Sequence, residues 1–178
     1  MPPSYLLSPL SLSDGDDILQ MLHEIGPGEN GFGNRVWDMP ASEFPAHLQS
    51  MLDMASGVNL APHLVPQITY WLRRDGYPVA MSRLRTRLNE ALLKVGGHIG
   101  YCVRPSERGK GLAVILLNLT LKEARGLGIP RALITCNADN TPSWRTIEHC
   151  GGVLEKIENN ERYYWVETGS PGSCRCRG

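Results

Sequence analysis

A glycine-rich segment beside several cationic side chains has the residue types needed to bind an anion. The segment covers residues 103–113 and reads Val-Arg-Pro-Ser-Glu-Arg-Gly-Lys-Gly-Leu-Ala. It lies between a short apolar run at 98–103, which predicts a strand, and a longer one at 112–121, which predicts a helix. Gly109 and Gly111 have no side chains that could cover the free N–H groups of the first helical turn. Because this end of a helix attracts negative charge, the sequence predicts a phosphate or pyrophosphate site.

Known phosphate-binding patterns narrow the choice of anion. The dinucleotide fingerprint requires a third glycine where this chain has Val114, and the Walker pattern G-x-x-x-x-G-K-[ST] does not occur. The order Arg108-x-x-Gly111-x-Ala113 instead resembles the acetyl-CoA signature Q/R-x-x-G-x-G/A of the GNAT N-acetyltransferases. Positive charge beside this signature comes from Arg104, Arg108 and Lys110.

Two further stretches carry the same resemblance. Residues 98–111 are similar to a sequence found in one bacterial GNAT branch of predicted acetyltransferases. Residues 137–143, followed by the glycine pair at 151–152, are similar to the family's later motif, an asparagine before a helix that ends in glycines. The resemblance covers residues 67–166 well and the N-terminal helices loosely. It implies a central mixed sheet with helices on both faces, in which two parallel strands separate and the thioester lies in the gap.

The resemblance also implies acetyl-CoA as the cosubstrate and a set of positions that would bind it. The backbone N–H groups of residues 108–113 would hold the pyrophosphate, and the backbone of 101–103 would pair with the pantetheine arm like an added strand. A backbone N–H there could polarise the thioester carbonyl. Asn140 would contact pantetheine, cap the next helix, or do both. The predicted cofactor-binding residues are Tyr101, Cys102, Val103, Arg108, Gly109, Lys110, Gly111, Leu112, Ala113, Asn140 and Ser143.

Catalysis in this family is the direct attack of a neutral amine on the thioester. Many GNATs place a tyrosine general acid seven residues after the motif asparagine, where this chain has Ile147. The identity of the general acid therefore stays open. Four residues could serve, and each could equally be a packing residue: Tyr101, Ser143, Tyr163 and Tyr164. For the base, His98 has a suitable ordinary pKa and Glu148 lies on a predicted helix. Both could be structural residues, and bound water could replace them.

The acceptor side is expected at the loop between the first two helices, as the resemblance implies. Side chains there that could contact an acceptor are Glu29, Phe32, Arg35, Trp37 and Asp38. Trp71, on a predicted strand, could line the same cleft or lie in the core. The two carboxylates would suit a cationic amine, although exposed carboxylates are also common on loops. We expect a primary amine of a small molecule or peptide as the acceptor.

Charge and composition exclude several classes of partner. Eighteen basic and eighteen acidic side chains give zero formal net charge, so we expect no nucleic-acid or membrane partner. No apolar run has the length of a membrane span, the N-terminus does not read as a signal peptide, and the five cysteines match no zinc pattern. These properties favour a metal-free, reduced protein in the cytoplasm. A homodimer that pairs through the last strands is expected by analogy alone.

Hydrophobic periodicity and turn residues predict one α/β domain over residues 1–168 and a disordered tail at 169–178. Helices are predicted at 13–25 (capped by Ser13), 42–54, 109–125 and 141–150, and residues 86–97 form a short helix or a long loop. Strands are predicted at 67–73, 78–84, 98–104, 132–136, 153–158 and 162–167. The first two strands and the last two form hairpins, and the strand–helix–strand crossover places a parallel pair in the sheet.

Three functions stay open at this level. The first is an acetyl-CoA-dependent N-acetyltransferase that acts on a small-molecule or peptide amine. The second is a catalytically silent module that binds or senses acyl-CoA, which the isoleucine at position 147 favours. The third is a protein that binds a different acyl-CoA or a nucleotide.

Overall fold

A computed structural model describes residues 1–169, which include five α-helices and nine strands. In chain order they are β1 (Tyr5–Pro9), α1 (Asp16–Ile25), β2 (Gly28–Glu29), β3 (Phe32–Gly33), α2 (Phe44–Ser56), β4 (Gln67–Arg74), β5 (Tyr77–Arg85), α3 (Glu90–Lys94), β6 (Ile99–Val103), α4 (Leu112–Gly126), β7 (Arg131–Asn137), α5 (Thr141–His149), β8 (Val153–Glu158) and β9 (Glu161–Glu167).

The long strands form two antiparallel sheets. One has the order β1-β4-β5-β6 and the other the order β7-β9-β8. Both predicted hairpins, β4–β5 and β8–β9, are confirmed. The second closes through Asn159 and Asn160, whose φ angles of 50° and 63° match the left-handed turn that suits a twisted hairpin. The two sheets meet where β6 lies beside β7, and α4 makes the crossover between these strands.

The seam between β6 and β7 has few hydrogen bonds. At the start of β6, the His98 N–H donates to the Leu133 carbonyl at 2.7 Å, and the Gly96 N–H donates to Thr135 Oγ1 at 2.8 Å. Gly97 permits this approach, because a Cβ there would lie 2.3 Å from the Leu133 carbonyl oxygen. Beyond His98 the two strands form no backbone ladder. The two strands therefore leave a gap between them along the rest of β6.

Helices cover both faces of the sheets, as predicted. Helices α1 and α2 pack on the face that carries Trp71, Met81 and Cys102. Helices α4 and α5 pack on the opposite face, which carries Leu84 and Ile134 among others. The alternation of side chains along each strand separates the two cores. Trp71 is buried in the first of them and donates its indole N–H to Asp14, so it is a core residue rather than a cleft residue.

The start of the first helix differs from the prediction. Helix α1 begins at Asp16 after Gly15, and Ser13 does not cap it. The neighbouring Asp14 instead accepts hydrogen bonds from the Ser11 N–H at 2.8 Å and the Trp71 indole at 2.7 Å. These bonds hold residues 11–14 in a turn that attaches to the sheet. A tertiary contact has therefore moved the start of the helix by three residues.

Two strand pairs were not predicted. Strand β1 lies along the edge of the first sheet against β4, and β2 and β3 form a two-residue hairpin inside the loop between the first helices. Within residues 1–169, every helix is too short or too polar to cross a membrane. Of the tail predicted at 169–178, the structure describes Gly169. The remaining residues, 170–178, which include both cysteines of the tail, lie outside the described part of the chain.

Candidate active site

A cleft of about 800 Å³ opens where β6 and β7 separate. Its walls are β6, the first turn of α4, the end of β7, the first turn of α5 and the β2–β3 hairpin. Of the predicted cofactor-binding residues, those that line it are Tyr101, Cys102, Val103, Arg108, Gly109, Gly111, Leu112, Ala113, Asn140 and Ser143. The sequence motifs, which are separated along the chain, therefore meet around one space.

One wall of the cleft is an unpaired strand edge. The Arg104 N–H donates to the Val79 carbonyl at 2.9 Å, and the His98 carbonyl accepts from the Arg85 N–H at 2.8 Å. Hydrogen-bonded pairs alternate along an antiparallel ladder, so Tyr101 and Val103 direct their N–H and C=O groups away from β5 and into the cleft. An extended ligand could hydrogen-bond to this edge in the manner of another strand.

The first turn of α4 has the open backbone that the glycines predicted. Gly109 and Gly111 have φ angles of 75° and 73°, a left-handed conformation that glycine adopts without strain, and no side chain caps the helix. The N–H groups of this turn therefore remain available to a ligand. Lys110 does not line the cleft, and its ammonium pairs with Glu107 at 3.0 Å.

Arg108 connects the anion loop to the opposite wall. Its guanidinium pairs with Glu29 of the β2–β3 hairpin at 2.5 Å, and its Nε donates to the Val103 carbonyl at 3.3 Å. Phe32 of the same hairpin also lines the cleft. The other three loop residues suggested by the sequence, Arg35, Trp37 and Asp38, do not line it.

Tyr101 and the start of α5 meet inside the cleft. The Tyr101 hydroxyl lies 2.9 Å from Ser143 Oγ, and the Asn140 side chain accepts the Ser143 N–H at 3.4 Å as the predicted N-cap. Burial raises the pKa of Tyr101, so its phenol keeps the proton near neutral pH. The structure thus brings a protonated hydroxyl to the side of the cleft where α5 begins.

Sequence reasoning missed one carboxylate of the cleft. Glu161, the first residue of β9, lines the cleft together with Thr135. Burial raises the pKa of Glu161, and a hydrogen bond from Thr135 opposes part of that effect. A partly buried carboxylate with a raised pKa is a suitable proton acceptor. Its position depends on the pairing of β9 with β7, for which the sequence has no local signal.

The other predicted catalytic residues lie outside the cleft lining. Tyr164 is fully buried, and its hydroxyl donates to Glu148 at 2.8 Å, which ties β9 to α5. His98 is buried at the seam, where its Nδ1 accepts the Leu133 N–H at 3.0 Å. Tyr163 donates its hydroxyl to the Lys94 carbonyl at 2.5 Å. In this arrangement each of these side chains joins two parts of the fold.

The His98 contact leads to a prediction about stability. We expect His98→Ala to lower the free energy of unfolding by about 1–3 kcal/mol, because the buried Leu133 N–H would lose its acceptor. His98→Asn should lose less, since the amide oxygen can accept the same N–H. Urea unfolding of both variants measures the difference. If His98→Ala left stability unchanged and altered the pH–rate profile, His98 would have a catalytic role instead.

The same residue predicts a pH dependence of stability. Burial, with a smaller effect of the Arg85 charge, lowers the pKa of His98 below its ordinary value of 6.5. As the pH falls below about 6.5, the unfolded chain therefore binds a proton that the folded chain does not, and stability falls. The fall between pH 7 and pH 5 should be smaller for His98→Asn than for the unmodified chain. An equal fall in both would show that His98 does not contribute to it.

Sequence comparison identifies the protein family to which this chain belongs. A sequence profile described as the Acetyltransferase (GNAT) family matches residues 34–151, which is more than half of the chain. The chain belongs to the GNAT acetyltransferase family. This confirms the resemblance stated from the glycine-rich segment, and the profile includes the anion loop and helix α5 of this GNAT domain. No curated protein sequence matches the chain.

Solved structures share the GNAT fold with this chain. RimJ from Mycobacterium smegmatis, in complex with CoA-disulfide, is 18% identical with a TM-score of 0.70, over 92% of this chain and 81% of that one. Ribosomal-protein-S5-alanine acetyltransferase from Vibrio fischeri is 14% identical with a TM-score of 0.68, over 93% and 94%. The N-acetyltransferase PseH from Campylobacter jejuni, in complex with acetyl coenzyme A, is 10% identical with a TM-score of 0.62, over 92% and 99%. At these identities the likeness shows the fold.

Proposed function

We propose that this GNAT family member transfers the acetyl group of acetyl-CoA to a primary amine of a small molecule or peptide. The observation that carries the proposal is the continuity of two features along one cleft. The unpaired edge at Tyr101 and Val103 leads directly to the uncapped first turn of α4. An extended arm that ends in a pyrophosphate needs this combination of backbone donors, and CoA has both parts. The CoA and acetyl-CoA complexes of the structural neighbours support the same choice of ligand.

The residues present fit acetyl-CoA along the length of the cleft. The backbone N–H groups from Arg108 to Ala113 would hold the pyrophosphate, and the edge of β6 from Tyr101 to Val103 would hold the pantetheine arm. Asn140 and Ser143 would face that arm from the start of α5. A volume of about 800 Å³ leaves room for an acceptor beside it. Acetyl-CoA would supply the activated thioester.

Two side chains that line the cleft would handle the protons. Glu161 would accept the proton that the amine nitrogen loses as the new N–C bond forms. The Tyr101 hydroxyl would donate its proton to the sulfur as the C–S bond breaks, and would recover a proton from solvent. This division of roles suits a raised-pKa carboxylate and a protonated phenol. We assign no proton transfer to His98, Glu148 or Tyr164, since each is engaged elsewhere in the fold.

The silent-module alternative depends on Ile147. This side chain is fully buried in the core beside α4, at the position where many GNATs have the catalytic tyrosine. If Tyr101 does not replace that tyrosine, the cleft would bind acetyl-CoA without rapid turnover. The three cysteines within residues 1–169 are free thiols, which supports the cytoplasm as the compartment of either function.

Two measurements test the proposed function. Calorimetric titration with acetyl-CoA, with desulpho-CoA and ATP as controls, should show micromolar binding that the controls do not match. A free-thiol assay over a panel of amines and peptides with free N-termini should then show turnover. Binding without turnover would favour the silent module. Absence of binding would contradict both functions.

A further inference from the structure

Two arginines at the acceptor end of the cleft have no carboxylate partner. Arg83 and Arg85 both line the cleft, and because they are two residues apart on β5 they project from the same face of the sheet. That face carries α1 and α2 rather than α4. Within residues 1–169, every ion pair closer than 4.0 Å involves other cations.

Both guanidiniums are held in place by neutral groups. Arg83 donates one Nη1 hydrogen bond to the Gly33 carbonyl at 2.8 Å and lies 4.5 Å from the centre of the Phe32 ring. Arg85 donates from Nη1 to the carbonyls of Gly96 and Gly97, both at 3.1 Å. Carbonyl oxygens and a ring face orient a guanidinium without neutralising it. Each arginine has five N–H donors, so further donors remain for a ligand.

The surrounding carboxylates do not balance these charges. Glu29 pairs with Arg108, and Glu107 pairs with Arg74 and Lys110. Glu161 and Asp139 also line the cleft, and among the ion pairs of residues 1–169 neither of them pairs with Arg83 or Arg85. Burial, and to a smaller extent the neighbouring Arg85, lowers the pKa of Arg83 to about 10, which leaves it charged at neutral pH. Since an unpaired charge in a partly buried site is costly, a ligand anion here would be stabilised.

We propose that the acceptor amine carries a carboxylate, which Arg83 and Arg85 bind while Glu161 faces the amine. Arg83 and Arg85, with the charge of Arg35 also acting on Arg83, form a cluster of positive charge that a carboxylate of the acceptor would offset. The planar fork of arginine matches a carboxylate in geometry as well as in charge. This inference depends on the proposed acetyltransferase function and specifies its substrate class. A free amino acid and a peptide with an acidic residue near its N-terminus both have the required groups.

The test compares amines that differ in the carboxylate. One arm pairs each common L-amino acid with its decarboxylated amine, and a second pairs peptides whose second residue is aspartate or asparagine. We expect kcat/KM to favour the carboxylate-bearing member of a pair by about 10- to 100-fold in at least one arm, as for a charged hydrogen bond. The arm that shows the preference identifies the source of the carboxylate.

Variants at the two arginines complete the test. Arg83→Gln and Arg85→Gln should each raise the acceptor KM at least tenfold and remove the preference, with the KM for acetyl-CoA unchanged within about twofold. Arg85→Lys keeps the charge and should retain part of the preference, which separates charge from folding. Arg87→Gln, a matched change at an exposed arginine outside the cleft, should behave like the unmodified chain.

The outcomes separate this inference from the proposed function. Equal turnover of amines with and without the carboxylate would overturn the inference and leave the acetyltransferase function standing. A preference that persists in both glutamine variants would also overturn it. Turnover of no amine in either arm would overturn the proposed function and this inference together.

Discussion

Replacing Gly111 by glutamate is expected to abolish the binding of acetyl-CoA. Gly111 is the residue immediately before α4, and no atom lies within 4 Å of the position a Cβ would occupy. A glutamate side chain therefore fits without displacing protein atoms, but its carboxylate would compete with the pyrophosphate for the same N–H groups and repel it. We expect the dissociation constant to rise more than 100-fold in a calorimetric titration.

A second glycine supplies the matched control for this experiment. Gly128 follows the other end of α4, has a φ angle of 78° against 73° for Gly111, and also has open space around its Cβ position. Gly128→Glu therefore introduces the same charge and a similar left-handed strain, about 1–2 kcal/mol, away from the anion loop. Its affinity for acetyl-CoA should equal that of the unmodified chain. If both variants bound acetyl-CoA equally well, the first turn of α4 would not be the pyrophosphate site.

Glu161→Gln is expected to lower kcat by about 100-fold or more, the size of effect typical of a lost general base. Glutamine keeps the volume and a hydrogen-bond acceptor for Thr135 but cannot take a proton from the amine. A carboxylate accepts a proton when it is ionised, so the rate of the unmodified enzyme should fall as the pH drops through the pKa of Glu161. Because burial raises that pKa, the fall should occur at a higher pH than for an ordinary glutamate. The Glu161→Gln variant should not show this fall in rate, which is the acid limb of the pH–rate profile.

Glu158→Gln is the control for the loss of a carboxylate on the same hairpin. Glu158 is the last residue of β8, is exposed, and pairs with Lys156 at 2.7 Å. Its replacement should leave kcat and the pH–rate profile unchanged, since surface ion pairs contribute little. A Glu161→Gln enzyme with the same acid limb as the unmodified chain would assign the base to another group or to water.

Elements with local signals were predictable from the sequence. The β4–β5 and β8–β9 hairpins have strand-forming residues on both sides of turn residues, and α5 has an asparagine cap followed by Pro142. Strand β1 was not predicted, because its five residues, Tyr5–Pro9, end in proline and become a strand through pairing with β4, a partner more than 60 residues away. The β2–β3 hairpin was missed for a related reason, since two residues per strand give no periodicity.

The same distinction explains which parts of the candidate site could be predicted. The anion loop is contiguous in the sequence, so its glycines and cations predicted that wall of the candidate site directly. Glu161, Arg83 and Arg85 reach the cleft through strand pairing, and nothing in their immediate sequence separates them from surface charges. Conversely, His98 has a suitable ordinary pKa, but its position at the seam gives its ring nitrogen a backbone N–H to accept. Residue type predicted the possible chemistry, and strand register decided which residues face the cleft.

The sparse seam between β6 and β7 has a consequence for cooperativity. Because only a few hydrogen bonds near His98 join the two sheets, the connection between them depends mainly on the core that they share under α4 and α5. An acetyl-CoA arm bound along β6 would contact residues from both sides of the gap and add its binding energy to the folded state. The ligand would then add a second connection between the two sheets beside their shared core. We expect a chain with this seam to gain rigidity when acetyl-CoA binds.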